Sequence, residues 1–236
     1  MVNKLTPEKI EEAARHFKNI QKGKTPILKT DTEKVAEKQV KDMHEYLKKK
    51  DPDSYPLIPP TDPRLLMKIA PYTDDMLKEF KIKDRAELSK KMYNSMVKYG
   101  GIGLSANQVG LPYNVFVMGG HASIENGLKM TCFNPMIISA SEEVVAMKEG
   151  CLTFPFVWLT ISRPRKVVVK YTDVKGDLQE GHLDGMISRI FQHEYDHMLG
   201  RTFTEYASKM KLDMAYKKAE KEMNKVRKIQ NAKKKK

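Results

Sequence analysis

The segment FQHEYDHMLG, residues 191–200, sets the architecture of this chain. It holds two histidines four residues apart, His193 and His197, with Glu194 directly after the first. Residues four apart share one face of an α-helix, so the two imidazoles can bind one cation from the same side. Glu194 can then take a proton from a metal-bound water, whose pKa the metal lowers. The alternative is a buried helix whose histidines and glutamate bind no metal.

The same segment ends a longer helical pattern, DGMISRIFQHEYDHMLG, at residues 184–200. Asp184 is the predicted N-cap and Gly200 the predicted C-terminal stop. Apolar side chains along two edges indicate a helix that is buried on much of its surface. They are Met186, Ile187, Ile190, Phe191, Met198 and Leu199.

Short β-rich runs precede this helix and are separated by Gly, Pro, Asn and Asp, as in a partly antiparallel sheet. They are YNVFVMG, TCFNPMIIS, VVAMKEGCL, FVWLTISRP and KVVVKYTD. A further helix is predicted at about residues 75–99, ending at Gly100 and Gly101. The predicted fold class is α+β, with a central metal-binding HExxH helix packed against partly antiparallel sheets, and with N- and C-terminal helices.

Three parts are predicted along the chain of 236 residues. Residues 1–54 are lysine-rich and predict a helical N-terminal extension. A boundary follows in DPDSYPLIPPTDP, residues 51–63, where five prolines in thirteen residues exclude a helix. Residues 55–206 are predicted to form the compact domain, and residues 207–236 a basic C-terminal helix and tail that begins at about residue 205.

The charge of the chain is concentrated in that tail. Residues 207–236 hold twelve Lys or Arg and three Asp or Glu, a net +9 of the total +13, which leaves +4 for the other 206 residues. The basicity is therefore a property of the tail. It indicates either a solvated helix or an electrostatic contact with RNA or another acidic surface.

Several protein classes are excluded by composition. No apolar run approaches the roughly 18 residues that span a membrane, and the N-terminal segment lacks the apolar core of a signal peptide. Two cysteines, Cys132 and Cys151, are too few for a disulfide framework. They indicate a reducing compartment, in which a thiolate can stay free to bind a metal.

A hydrolytic metal site needs a third protein ligand, and no histidine or cysteine follows His197. Cys151, in EGCLTFP, is the upstream candidate, and the glycine before it allows close backbone approach. The other interpretation of Cys151 is simple burial, the role assigned to Cys132.

Asp196 is either an exposed carboxylate or a support for a histidine ring or a neighbouring cation.

Residues 100–110, GGIGLSANQVG, match neither the dinucleotide fingerprint nor a Walker loop. A glycine-rich strand lets a peptide lie close and pair with its backbone. Gln108 offers an amide donor for a developing oxyanion. Taken alone, the segment would be a strand-entry loop with a solvated glutamine.

Taken together, the three motifs resemble those of peptide deformylases, whose signatures are G-x-G-x-A-A-x-Q, E-G-C-L-S and H-E-x-D-H in that order. Here they read GIGLSANQ (101–108), EGCLT (149–153) and HEYDH (193–197), and the resemblance covers about residues 55–206. Ser105 stands where the family motif has alanine, and Thr153 where it has serine. Both departures bear on the lining of the pocket, and neither removes a reactive group.

The resemblance implies a ligand set of Cys151, His193 and His197 for one divalent metal ion, with ferrous iron expected and zinc as the alternative. Water would occupy the fourth position. Glu194 would take the proton of that water and return it to the departing amine.

The resemblance also implies how substrate is held. The Gln108 side chain and the backbone N–H of Leu152 would bind the oxyanion, and Gly103 would let the substrate backbone approach. Glu149 is placed with the substrate-binding residues and is expected to pair with Arg163 behind the site. The matching positions for the methionine pocket are Ile102, Met186 and Ile190.

The predicted function is a metal-dependent hydrolase that removes the formyl group from the N-terminal formylmethionine of new polypeptides and releases formate. The predicted partners are N-formylmethionyl nascent peptides, with a ribosome contact through the basic tail, no membrane and no sequence-specific nucleic acid. The predicted location is the cytoplasm of a bacterium, or of the host of a phage that encodes the enzyme. The alternatives are a generic HExxH zinc peptidase and an inactive ribosome- or RNA-binding relative.

Overall fold

The computed structural model describes residues 3–4, 53–122 and 124–234. The predicted helical extension over residues 1–54 therefore lies almost wholly outside the described residues. Within the described ranges, no helix combines the length and the apolar character that crossing a bilayer requires.

The helices, in chain order, are α1 (Met76–Glu79), α2 (Arg85–Lys98), α3 (Gly185–Met198) and α4 (Lys209–Lys234). The strands are β1 (Asn3–Lys4), β2 (Gly103–Ser105), β3 (Val115–Gly119), β4 (Lys129–Ala140), β5 (Val144–Cys151), β6 (Phe154–Pro164), β7 (Lys166–Thr172) and β8 (Leu178–Asp184). Single 3-10 turns occupy Pro63–Leu66, Ala106–Val109, Glu125–Gly127 and Phe203–Tyr206.

Two sheets form the β part of the fold. The larger sheet has the order β2-β3-β4-β7-β8, with β1 paired to β4, and β5 and β6 form a separate ribbon. Every strand pair in the described part of the chain is antiparallel. The α+β prediction is confirmed, and the sheets are more uniformly antiparallel than the sequence suggested.

Helix α3 lies against the larger sheet and supplies much of the core. It contacts β2, β3, β7 and β8. Its apolar residues Ile187, Ile190 and Phe191 pack with residues of β3 and β7 in one buried cluster, and Phe116 meets Phe191 edge-on at 5.0 Å between ring centroids. The HExxH segment is therefore held on a rigid, buried element.

The ends of α3 fall where the sequence placed them, but the predicted cap bond is not made. Asp184 is the N-cap residue and makes no side-chain cap hydrogen bond; its carboxylate instead accepts from Arg165 Nε at 3.0 Å. Gly200 has φ +70°, and a Cβ there would lie 2.7 Å from the Leu66 carbonyl oxygen. Only glycine fits this stop without strain.

The single helix predicted at residues 75–99 is wrong, because the structure divides it into α1 and α2. Lys81 between them has φ +54°, which a continuous helix does not allow. Asp84 then caps α2 by accepting from the Glu87 backbone N–H at 2.8 Å. The predicted C-terminal end is confirmed, since Gly100 has φ +72° and Gly101 N–H donates to Met96 O at 2.8 Å.

Helix α4 begins at Lys209, after the 3-10 turn at Phe203–Tyr206, rather than at about residue 205. It packs along β6, where Leu212, Ala215 and Ala219 join the apolar cluster of the ribbon. Met214 lies outside this packed face and is 65% exposed.

Candidate metal centre

A thiol and two imidazoles converge where the ribbon meets α3. The ligand atoms of Cys151, His193 and His197 all lie within 4.8 Å of one another, and no other triad of potential metal ligands occurs among the described residues. Cys151 ends β5, and its Sγ lies 3.4 Å from His197 Nε2. The histidines lie one turn apart on α3, so their two rings face the ribbon from one side.

The donor set fits a borderline-soft divalent ion. A thiolate with two imidazoles suits zinc or ferrous iron, and three protein ligands leave a position for water. The Nδ1 of His193 is 3.0 Å from Glu149 Oε2, which leaves Nε2 as the nitrogen for a metal. Burial lowers the pKa of His197 well below its usual range, so that this ring is neutral, as a ligand must be.

Glu149 joins the ribbon to α3 through a buried ionic cluster. Its carboxylate accepts hydrogen bonds from Arg163 Nε at 2.7 Å and from Arg189 Nη1 at 2.7 Å. The carboxylate also lies 3.0 Å from His193 Nδ1. The expected pairing with Arg163 is present. Burial alone would raise the pKa of Glu149, but the hydrogen bonds from His193 and Arg163 outweigh it and hold that pKa at about 2.

Asp196 extends this cluster on the far side of Arg163. Its carboxylate accepts from Arg163 Nη1 at 2.6 Å and from the Tyr206 hydroxyl at 2.9 Å. The side chain is buried, so the exposed interpretation is wrong and the support of a neighbouring cation is what the structure shows. Arg163 also stacks 4.6 Å from the centroid of the Tyr206 ring.

Arg189 was not singled out by the sequence motifs. It projects from the buried side of α3, donates to Glu149, and also donates to the carbonyl oxygens of Ile161 and Val145 on the two strands of the ribbon. An arginine among the apolar residues of a buried helix was the available signal, since such a charge needs a buried partner.

Glu194 is buried beside the triad. Its Oε2 accepts from the Ser105 hydroxyl at 2.6 Å, and a Cβ at Gly103 would lie 2.3 Å from its Oε1. Burial raises the pKa of Glu194, against the opposing influence of His193 and Ser105. Gly103 is thus a neighbour of the carboxylate itself, a contact that the sequence did not predict.

Gln108 is fixed by three contacts. Its Oε1 accepts from the Ser105 backbone N–H at 2.8 Å. Its Nε2 donates to Thr153 Oγ1 at 3.0 Å and lies 3.3 Å from Cys151 Sγ. Of the two departures from the family motif, Thr153 contacts this amide through its side chain, whereas Ser105 contacts it only through its backbone N–H.

The glycine before Cys151 has a specific neighbour. A Cβ at Gly150 would lie 3.0 Å from the ring of Trp158 on the paired strand. The space beside Gly150 is therefore filled by an indole. Trp158 is itself 54% exposed, and Lys148 Nζ lies 5.0 Å from the centroid of its ring.

The residues predicted to bind the methionine side chain differ in exposure. Ile190 is buried in the core cluster of α3. Ile102 and Met186 are 38% and 43% exposed, as expected of side chains at an open surface. Leu152, whose backbone N–H was predicted to hold the oxyanion, packs its side chain against Gly101, where a Cβ would lie 2.6 Å from Cδ1.

Known proteins resemble this chain over most of its described length. A family model described as polypeptide deformylase matches residues 55–213. A peptide deformylase of Wolbachia pipientis wMel is 37% identical over 175 residues, 70% of this chain and 94% of that protein. One of Rhodopseudomonas palustris (strain BisB18) is 38% identical over 136 residues, 57% of this chain and 78% of that protein.

Solved structures show the same likeness. The crystal structure of peptide deformylase from Ehrlichia chaffeensis has a TM-score of 0.63 and 30% identity, covering 73% of this chain and 98% of that one. The structure of the Ehrlichia protein in complex with actinonin has a TM-score of 0.62 and 32% identity, covering 72% and 97%.

Proposed function

This chain belongs to the polypeptide deformylase family, and we propose which of its residues carry out the family's reaction, the hydrolysis of the formyl group from formyl-methionyl peptides. The observation that carries the assignment is the convergence of one thiol and two imidazoles beside the buried carboxylate of Glu194. A hydrolytic site needs these parts together: three ligands with an open position, and a base within reach of it.

Cys151, His193 and His197 would hold one divalent metal ion, ferrous iron first and zinc as the alternative. When bound, such an ion supplies an acidified water and polarises the formyl oxygen. The bond between Glu149 and His193 Nδ1 fixes the ring and increases its basicity toward a metal.

Glu194 acts as the general base and then as the general acid. It takes a proton from the attacking water and returns that proton to the departing amine of methionine. The raised pKa of Glu194 suits both steps, because it brings the carboxyl closer to the operating pH.

Gln108 and the backbone N–H of Leu152 stabilise the oxyanion. The Gln108 amide is already turned so that Nε2 lies 3.3 Å from Cys151 Sγ, and its oxygen is occupied by Ser105 N–H. Such preorganisation avoids reorganisation during the reaction, and loss of one donor of this kind costs about 2.7–4 kcal/mol of transition-state stabilisation.

We assign Glu149 to the support of His193 and not to substrate. Its side chain is 4% exposed, and both of its oxygens are engaged by Arg163. The substrate backbone is proposed to run beside Gly103, with Ile102, Met186 and Ile190 around the methionine side chain.

The basic C-terminal helix is proposed to contact the ribosome. Residues 224–236, which follow the buried Met223, hold six lysines, one arginine and no acidic residue. Ribosomal RNA presents phosphates that such charges attract through counterion release. A cytoplasmic location, where formyl-methionyl chains are made, agrees with this proposal.

The test is formate release from a short formyl-Met peptide by the protein and by a Glu194→Ala variant. The variant is expected to retain its metal and to lose at least about a hundredfold in turnover, since the ligands remain and the base is gone. Glu180→Ala, at an exposed position on β8, is the control and should be unaffected.

Turnover of Glu194→Ala within tenfold of the parent would refute the assigned mechanism. Cleavage of casein without formate release would favour the generic zinc peptidase instead. RNA binding with neither activity would favour the inactive relative.

A further inference from the structure

Ser105 touches both reactive side chains of the proposed mechanism. It is fully buried. Its hydroxyl donates to Glu194 Oε2 at 2.6 Å, and its backbone N–H donates to Gln108 Oε1 at 2.8 Å. One residue at the end of β2 thus holds the base on α3 and the amide on the 3-10 turn at Ala106–Val109.

The hydroxyl has a second possible acceptor, the backbone oxygen of Glu194 at 3.2 Å. A hydroxyl has one proton to donate, and the shorter contact, to an ionisable oxygen, is the stronger one. The carboxylate is therefore the acceptor, and Oε2 is the oxygen that the bond anchors.

Gly103 restricts the same carboxylate from another side. A Cβ at residue 103 would lie 2.3 Å from Glu194 Oε1 and 2.9 Å from Cδ. With Oε2 bonded to Ser105 and the carboxylate against Gly103, rotation about the terminal torsion of Glu194 is limited. Oε1 is then the oxygen left to receive a proton from water.

We propose that Ser105 is a positioning residue, which acts through its hydroxyl on Glu194 and aligns that carboxylate with the proton it must accept. The inference rests on the proposed role of Glu194. The family motif has alanine at this position, which has no hydroxyl and could not supply this constraint. Thr153, the other departure, acts on Gln108 and not on Glu194.

The first test is Ser105→Ala, measured as kcat and KM for a short formyl-Met peptide together with metal content. Loss of a hydrogen bond to a charged group predicts a decrease in kcat of roughly tenfold or more. KM and metal content should stay within about twofold, because both hydrogen-bond acceptors of the hydroxyl belong to Glu194 and not to a proposed metal ligand. Turnover within twofold of the parent, or a loss that follows metal content or KM, would overturn the proposal.

Ser89→Ala is the matched control. It removes another buried hydroxyl, which bonds Thr131 at 2.7 Å beneath α2, and it should leave kcat unchanged. An equal decrease in both variants would assign the effect to general packing and overturn the proposal.

The second test repeats Ser105→Ala in a Glu194→Asp background. The shorter aspartate cannot keep the same bond, so removal of the hydroxyl should now change kcat by less than about twofold. An undiminished effect there would show that Ser105 does not act through Glu194. If Glu194→Ala is inactive while Ser105→Ala is normal, this inference fails and the proposed function stands; if Glu194→Ala stays active, the proposed mechanism fails first.

Discussion

Glu149 shows how one buried carboxylate can fix the ring of His193, a proposed metal ligand. Burial removes the ionised Glu149 carboxylate from water, which is costly. Two arginines and His193 offset that cost by contacting the carboxylate. The pKa of Glu149 is about 2 because the surrounding positive groups outweigh the effect of burial.

Glu149 should therefore stabilise the fold in a pH-dependent way. Its folded pKa, about 2, lies below the ordinary value of 4.5. The stabilisation is complete above that ordinary value and is lost as the pH falls toward 2, with an upper limit of about 3 kcal/mol. Urea unfolding of chelator-treated protein measures the free energy of unfolding at pH 7 and at pH 3. The decrease in this free energy between pH 7 and pH 3 should be smaller in Glu149→Gln than in the parent.

The reference for that measurement is Glu180→Gln, because Glu180 is half exposed. Glu180→Gln should show the same change in the free energy of unfolding between pH 7 and pH 3 as the parent. If Glu149→Gln also shows the parental change, the Glu149 carboxyl does not provide the assigned stabilisation.

Cys151 should be protected from alkylation by the metal. Iodoacetamide requires a free thiolate, and a coordinated sulfur is withdrawn from reaction. Peptide mapping should find Cys151 labelled only after chelation. Cys132 is an internal control, because its thiol is fully buried and burial raises its pKa; equal labelling of Cys151 before and after chelation would remove it from the ligand set.

The residues that the sequence motifs selected are those with a local signature. His193 and Glu194 were visible because helical spacing is a property of neighbouring residues. Ser105 bonds a side chain 89 positions away, and Arg189 one 40 positions away. Such partners depend on how β2, β5 and α3 come together, and no short pattern encodes them.

Elements with a strong periodicity were predicted well. The runs around β3 to β7 and the limits of α3 agree with the structure, because apolar alternation and terminal glycines are strong signals. β8 was missed because its sequence, LQEGHLD, is mostly polar and only Leu183 is buried. The break before α2 was missed because the helical pattern was extended across Asp84, although aspartate is a typical N-cap.

The docked face of α4 predicts a contrast between two methionines of that helix. Met223 is 9% exposed and Met214 is 65% exposed. Met223→Asp should lower the free energy of unfolding by about 2–4 kcal/mol, since it places a charge on an apolar contact. Met214→Asp, the same change on the solvent side, should stay within about 0.5 kcal/mol. Chemical denaturation measures both, and equal losses would mean that α4 does not dock through this face.

At the scale of the whole molecule, the proposed ligands come from two units, the β5–β6 ribbon and helix α3, which packs on the larger sheet. The ribbon carries Cys151 and has no backbone pairing with the larger sheet among the described strands. Helix α3 bridges the two, through the ionic cluster around Glu149. A bound metal would add a further link between the ribbon and α3, and so contribute to folding as well as to chemistry.

The tail beyond the docked part of α4 should govern attraction to the ribosome but not turnover. Residues 228–236 contain five lysines and no acidic residue. Their deletion should leave hydrolysis of a short formyl-Met peptide unchanged and weaken ribosome co-sedimentation at low salt. Replacement of the five lysines by glutamine keeps the length and should have the same effect; undiminished co-sedimentation in both would assign the tail to solubility alone.

The sequence contains one tryptophan, and the structure places its ring over Gly150, the residue next to the proposed thiolate ligand. All indole fluorescence of the molecule therefore originates at the edge of the candidate metal centre. Ferrous iron bound to Cys151 would offer d–d and thiolate charge-transfer states that can take up the excitation of the indole, whereas zinc, with its filled d shell, would not. The chain thus carries an optical signal of which metal it holds, with no label attached.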